Sequence, residues 1–412
     1  MKRTPLLLAL LFFINFSFSQ ELEIRSIKNQ IKEKELELDS LNKLKEKYTL
    51  KYLHSELKGY GLPQLENGEE LIEHKAYILV YSEKHEQAKW VAHIISKEII
   101  DGNVSRTNDF RPDTMIKTGS AVEQDYFIKH KENGKTVYDG FGYDRGHLAP
   151  SADFKWSKSA LSESYFYSNM SPQIDDFNRG GWAKLEGMLR KYVYENNVDL
   201  FVVTGPVLTD DLPVIERGVN KVSIPNYYYK IAYDKENNRA IAFLMPNQNL
   251  DYPVEYYAVS VDSVEAITKI NFFYNLNDSI ETIIEKQSDY KPFLPEKSKN
   301  DVAPMRVLPK NCLNTVQSYA EINTNKKVKV CGTVVSTHKS QKGNIFINLD
   351  KSYPNQIFSI TIWAYDIINF SYDPVKELMG KKVCVTGKIV EYRGTASMYI
   401  ENEKGIEVID NE

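Results

Sequence analysis

Tyr143-Asp144-Arg145-Gly146-His147-Leu148-Ala149-Pro150, followed by Asn169-Met170-Ser171-Pro172-Gln173-Ile174-Asp175-Asp176-Phe177-Asn178-Arg179-Gly180-Gly181-Trp182-Ala183-Lys184-Leu185-Glu186, is the stretch that decides the reading. It concentrates the residue types that phosphodiester hydrolysis needs: a base for water, positive charge for the phosphoryl oxygens, and help for the leaving alkoxide. His147 is the natural base, because an ordinary pKa of about 6.5 leaves it mostly neutral at pH 7. Arg145, or another guanidinium nearby, can grip phosphate in a bidentate way. Asn178 offers a neutral oxygen to a hard cation such as Mg²⁺, which keeps its remaining waters.

Downstream, Trp182 to Tyr194 has helical spacing through Leu185, Met188, Leu189 and Tyr192. Glu186 and Arg190 are four apart on one face, and Asn178 is expected two turns earlier at the start of the same helix. Glu186 could hold cation-bound water and Arg190 could contact phosphate; the alternative is a surface ion pair. Asp175 and Asp176 read as helix caps rather than as a two-cation carboxylate pair. Asp144 reads as structural, orienting the loop that presents His147.

Outward from this stretch, residues 70 to 285 alternate short β-branched and aromatic runs with helical stretches. Ala76 to Tyr81, Leu200 to Pro206 and Ala240 to Pro246 read as strands buried on both faces, which predicts an α+β domain with a mixed sheet. Upstream, residues 21 to about 57 lack Gly and Pro and carry apolar residues at Ile24, Ile27, Ile31, Leu38, Leu41, Tyr48 and Tyr52. That pattern predicts one long helix, either paired with a second copy or laid on its own domain, and Gly59, Gly61 and Pro63 end it. The first residues, a basic Met1-Lys2-Arg3-Thr4 before an apolar run to Phe18 and then Ser19-Gln20, predict a signal peptide cleaved near Ser19, with an uncleaved anchor as the alternative. Apart from residues 6 to 18, no stretch is apolar enough to span a membrane.

Beyond a polar linker at 286 to 305 lie alternating strands at 327–335, 344–349 and 358–363, a short helix near Pro374 to Met379, then strands at 382–390 and 397–401. Five strands with a helix between the third and fourth is the order of an OB-fold barrel. This tail, 304 to 412, holds 14 Lys/Arg against 11 Asp/Glu. Phe346, Phe358, Trp363, Tyr392 and Tyr399 with Lys339, Lys342 and Arg393 could bind single strands; the alternative places Phe346, Phe358 and Trp363 in the core.

Composition narrows the classes. At 412 residues with 42% hydrophobic content the chain exceeds one core and is not disordered. A net charge of -4 means that any polyanion site is local. Three cysteines exclude a disulfide scaffold and a four-cysteine zinc site. Cys331 and Cys384 fall on neighbouring expected strands, either as a disulfide or as two buried thiols, and Cys312 has no evident mate. His74, His85, His93 and His130 lack partners at metal-ligand spacing and read as surface or packing residues.

With Asp144-Arg145-Gly146-His147 and Asn169, Gln173, Asn178, Trp182 and Glu186 in their observed spacing, the sequence resembles the DNA/RNA non-specific endonucleases of the ββα-metal (His-Me finger) type. The likeness continues through Thr204-Gly205-Pro206, Ile224 to Lys230 and Phe243 to Asn247, over roughly residues 70 to 285. It implies one Mg²⁺, with Mn²⁺ as a substitute, held by Asn178 as the protein ligand. It also implies His147 as general base, an upstream phosphate-contacting arginine matched by Arg106 with Arg111 as alternative, and 5′-phosphate ends. Asp144, Asn169 and Gln173 are then support residues.

The expectation is an α+β chain divided into a signal peptide (1–19), a long helix (20–58), a nuclease domain (65–285), a linker (286–305) and an OB-fold-like domain (306–412). The reading is an exported, periplasmic or secreted, Mg²⁺-dependent endonuclease of DNA and RNA, dimerising through the N-terminal helix if at all, with no stable membrane insertion after signal cleavage. Two rivals remain: a non-catalytic nucleic-acid-binding protein acting through the OB-fold, and a phosphodiesterase for other extracellular phosphate esters.

Overall fold

The structure is a computed structural model that describes residues 4–409 apart from 103, 295–299, 341, 354, 393 and 394; side chains at 4–20 and 101 are outside the description too. Met1 to Arg3 of the expected signal peptide, Lys297 to Lys299 of the expected linker and Arg393 thus lie outside the described residues. The chain divides into two compact units, Met1–Glu56 and Leu57–Glu412. Helix α1 runs Thr4–Gly59, further toward the N-terminus than the expected 20–58, because no glycine or proline after Pro5 stops it. The apolar side chains expected to form a seam, Ile24 through Tyr52, are each more than half exposed. Gly61 then turns the chain with φ of 82°, and a Cβ there would lie 2.9 Å from the Phe273 backbone.

The centre of the second unit is a seven-stranded sheet, in order 72–73, 77–82, 87–95, 200–206, 227–234, 239–246 and 258–259. Every pairing in it is antiparallel, which corrects the expected mixed sheet. The expectation rested on unalternating apolar runs, which are usual in parallel strands; here they arise because both faces are covered. Tyr228 and Tyr229 show this, as successive side chains of one strand point to opposite sides. Tyr228 stacks on Phe177 and meets Trp182, whereas Tyr229 meets Phe272, and Tyr233 on that same side meets Tyr60 and Phe273. Fully burying such a ring contributes on the order of 2 kcal/mol.

Lying on the first face are Asp144–His147 and Met170–Gln173, paired antiparallel with His147 opposite Met170 and Asp144 opposite Gln173. Two clamps hold this ribbon down. The Tyr228 hydroxyl donates to Pro172 O at 2.7 Å. Asn247 accepts from Ile174 N at 2.9 Å and donates to Pro172 O at 3.1 Å. After the ribbon come a π-helical turn, Phe177–Trp182, and helix α2, Ala183–Asn196. Part of the expected linker is packed rather than loose: Gln287 accepts from Ala240 N at 2.8 Å, and buried Phe293 stacks on Tyr192 at 4.8 Å.

In the tail, Lys327–Lys339, Ile345–Leu349, Phe358–Ile362, Thr395–Tyr399 and Lys382–Tyr392 pair in that order, and the last pairs back to the first. A register break between Val334 and Ser336 lets the long first strand serve two neighbours, its first half facing 382–388 and its second half facing 345–349. Val330, Val334, Ile347, Phe358, Ile360 and Met398 fill the interior. A helical turn, Pro374–Glu377, falls between the third and fourth strands as expected. Cys331 and Cys384 are directly opposite one another and form a disulfide, resolving the alternative that the sequence left open. Cys312 is a free thiol whose sulfur lies within 4.8 Å of both.

Candidate active site

His147 sits at the end of its strand with its ring edge-on to Tyr165 (centroids 5.0 Å) and Phe110 (5.7 Å). This aromatic cage strips water from the imidazole, and its Nε2 is buried with no hydrogen-bond partner. Burial first, then the guanidinium charges of Arg106 and Arg145, push His147 down to about 3. The imidazole is therefore neutral throughout the physiological range, further from its ordinary value than the sequence reading assumed.

The two arginines are held differently. Arg145 lies over Phe110 at 3.6 Å and Phe127 at 5.0 Å, and donates to the Tyr167 hydroxyl at 3.4 Å. Arg106 donates to Asn108 Oδ1 at 2.7 Å and lies 5.7 Å from the Tyr165 ring. Its charge acts on both His147 and Glu186. Arg111, the alternative, is turned away and tied to Asp109 and Ser162 O, stacked on Phe166 at 4.1 Å.

Asn178 is not on regular helix two turns before Glu186. It lies in the π-helical turn, where Gly180 adopts φ −98°, ψ −106° and breaks the register assumed from sequence. Its Nδ2 donates to Asp144 Oδ2 at 2.8 Å, and Arg179 donates to both oxygens of the same carboxylate. Asp144 thus fixes which way the Asn178 amide points, leaving its Oδ1 with no protein donor among the described residues. Asp176 makes no capping hydrogen bond, against expectation, and Asp175 accepts from its neighbour's N–H and lies 4.0 Å from Arg179.

Beneath lies a charged cluster that the sequence reading saw only in part. Arg190 donates to Asp153 Oδ1 at 2.8 Å and lies 3.9 Å from Glu186, so the pair is enclosed rather than a surface ion pair. Asp153 also meets His93 Nε2 at 2.9 Å. Lys230, buried mid-strand, donates to Thr204 Oγ1 at 2.6 Å and to Leu148 O at 3.3 Å, with its ammonium 4.8 Å from the Trp182 ring. Burial pushes Glu186 up, against the charges of Lys230 and Arg190. Burial likewise pushes Lys230 down, against Glu186 and Asp153. The signal for Lys230 was a lone lysine inside Tyr227-Tyr228-Tyr229-Lys230-Ile231, and the signal for Asp153 and His93 was nil.

The remaining support residues act on backbone. Asn169 accepts from Ala149 N and donates to Ala149 O and Ser164 O, fixing the chain just after His147. Gln173 packs its unpartnered amide against Gly146, where a Cβ would sit 2.1 Å from Gln173 Oε1. The donor set suits a hard cation: a pre-oriented neutral amide oxygen at Asn178 and a carboxylate at Glu186, with no thiolate among them.

A strand-strand-helix finger with a dried imidazole set among guanidinium groups is the arrangement of a hydrolase for anionic esters. The family model for DNA/RNA non-specific endonuclease matches residues 54–279. A nuclease of Nostoc sp. is 32% identical over 225 residues, covering 52% of this chain and 76% of the relative. Human mitochondrial endonuclease G is 29% identical over 240 residues, 54% and 74% of the two chains, and a nuclease of Syncephalastrum racemosum is 31% identical over 233, 51% and 69%. The chain belongs to the DNA/RNA non-specific endonuclease family, a family of divalent-metal-dependent nucleases, and it is a nuclease hydrolase.

Proposed function

We propose that the protein is an exported Mg²⁺-dependent endonuclease that cuts DNA and RNA without sequence preference and leaves 5′-phosphate ends. The observation that carries this is the neutral, desolvated His147 with an unpartnered Nε2 beside Arg106 and Arg145. The two guanidinium groups hold a substrate phosphate, whose negative charge offsets theirs and lifts the basicity of His147 on binding. His147 then takes a proton from the attacking water. Asn178, aimed by Asp144, and Glu186, held in place by Arg190 and Lys230, are the groups that would hold the cation and its waters. When bound, the cation supplies charge for the phosphoryl oxygens and the leaving alkoxide.

In the same reading the tail is an OB-fold barrel that gathers single strands. Its support is the closed circuit of pairings with one parallel contact, 358–361 on 396–399, and an accessible aromatic pair, Trp363 and Tyr399, 5.4 Å apart. Phe358 belongs to the core, while Phe346 and Trp363 are half-buried. The exposed seam of α1 is offered as a homodimer contact, and the basic-then-apolar N-terminus as an export signal to the periplasm or beyond.

Mature protein incubated with plasmid DNA and with single-stranded RNA, in Mg²⁺ or EDTA, tests the reading. Degradation that requires the cation and falls by about 10²–10⁴-fold in His147→Ala supports it, with Asn178→Ala falling comparably. Intact substrate with wild type, despite binding in a gel shift, would sink it in favour of a binding role for the tail.

A further inference from the structure

Away from the nuclease centre, helix α3, Val261–Thr268, and helix α4, Asp278–Glu285, bring acidic residues together. Asp262 and Glu265 are three apart on one face, and Glu285 ends the second helix. One carboxylate oxygen from each lies within 4.8 Å of the others. Glu285 is 8% exposed, and its Oε1 is buried with no hydrogen-bond partner.

Several features make this arrangement costly as it stands. Like charges at helical spacing repel. Glu285 also sits at the C-terminal end of its helix, where unpaired carbonyls already carry partial negative charge. Glu281, one turn earlier, adds a fourth acid whose charge acts on Glu265 and Glu285. Glu265 accepts one backbone N–H, from Phe272 at 2.7 Å. Among the described residues no lysine, arginine or histidine pairs with Asp262, Glu265 or Glu285. A buried carboxylate with an oxygen that no donor reaches, grouped with two further carboxylates, has the environment of a cation ligand.

We propose that Asp262, Glu265 and Glu285 form a structural binding site for Ca²⁺, separate from the nuclease centre. An all-oxygen, carboxylate-rich set selects a hard divalent ion. The choice of Ca²⁺ over Mg²⁺ follows from the donors, since Ca²⁺ takes several carboxylates in flexible geometry, whereas Mg²⁺ demands a near-ideal octahedron and usually keeps several waters. The ion would tie α3 to α4 beside the 239–246 strand.

The test is calorimetric titration of the full mature chain with CaCl₂ in an Asn178→Ala background, which removes the amide ligand assigned to the nuclease centre. One Ca²⁺ per chain is expected, lost on adding Glu285→Gln. Ca²⁺ at a hundred times Kd should raise Tm by about 5 °C before that change and not after it. Should Glu285→Gln fail to fold, Asp262→Asn, in the first turn of α3, gives the same readout. Unchanged stoichiometry in a folded variant would overturn the proposal, as would a Tm indifferent to Ca²⁺ that rises on acidification, the signature of carboxyls sharing a proton.

Discussion

The ribbon that carries His147 and the tail that carries Cys331 are both small strand constructions, yet they are stabilised in opposite ways. The tail closes its strands on one another around Val330, Ile347 and Ile360 and adds a disulfide across opposed residues. The ribbon has only four residue pairs and leans on the sheet beneath it through Tyr228 and Asn247. Its surroundings leave His147 Nε2, both amide atoms of Gln173 and Trp182 Nε1 buried without partners, whereas among the described residues the tail contributes only Gln356 Oε1. Unsatisfied polar groups and enclosed charges gather around the candidate active site, and the tail, which has no such site, largely lacks them.

That contrast can be broken most forcefully at the disulfide. Cys331→Ser with Cys384→Ser should cost the tail about 2–4 kcal/mol in denaturant unfolding, while cleavage of short oligonucleotides stays near the wild-type rate. Loss of that cleavage would mean the two regions are not independent. A smaller effect is expected at Gly146→Ala, whose Cβ has no room beside Gln173. It should destabilise by roughly 1–3 kcal/mol and lower activity more than stability, because His147 is the next residue. Adding Gln173→Ala should restore most of the stability, and absence of any rescue would place the conflict elsewhere.

The smallest effect concerns pH. Protonating His147 requires overcoming burial and two guanidinium charges, so its acid limb in kcat/KM should lie well below pH 6 rather than between 6 and 7. Arg106→Met removes one of those charges and should move the limb upward. A limb near neutrality that moves up in Lys230→Met belongs instead to Glu186, whose carboxyl loses in that variant the charge that most opposes the effect of burial.

Much of this was legible because local sequence carries local chemistry. The helix through Leu185 and Leu189 and the order of tail strands follow from periodicity over a few residues, whereas Asp144 to His147, read as a loop, is a strand of the ribbon. Asp144, read as orienting the loop that presents His147, instead holds Asn178 and Arg179. The illegible parts depend on partners distant in sequence. His93 and Asp153 meet across 60 positions, and Lys230 reaches Leu148 across 82. The Gly180-Gly181 step also depends on a distant partner, since Gly181 has no room for a Cβ beside Leu250, 2.1 Å away. The pKa of His147 could not be read either, since the cage of Phe110 and Tyr165 comes from outside its motif.

The placement of Lys230 has a consequence for when the enzyme becomes active. The ribbon, the turn and α2 are all made before the chain reaches residue 227, yet the strand that seats them comes afterwards. Tyr228 clamps Pro172, and Lys230 completes the charge balance around Glu186. A nascent chain therefore carries its histidine and its asparagine for some time without a working centre. In chain order, the last of these parts is the strand that seats the rest.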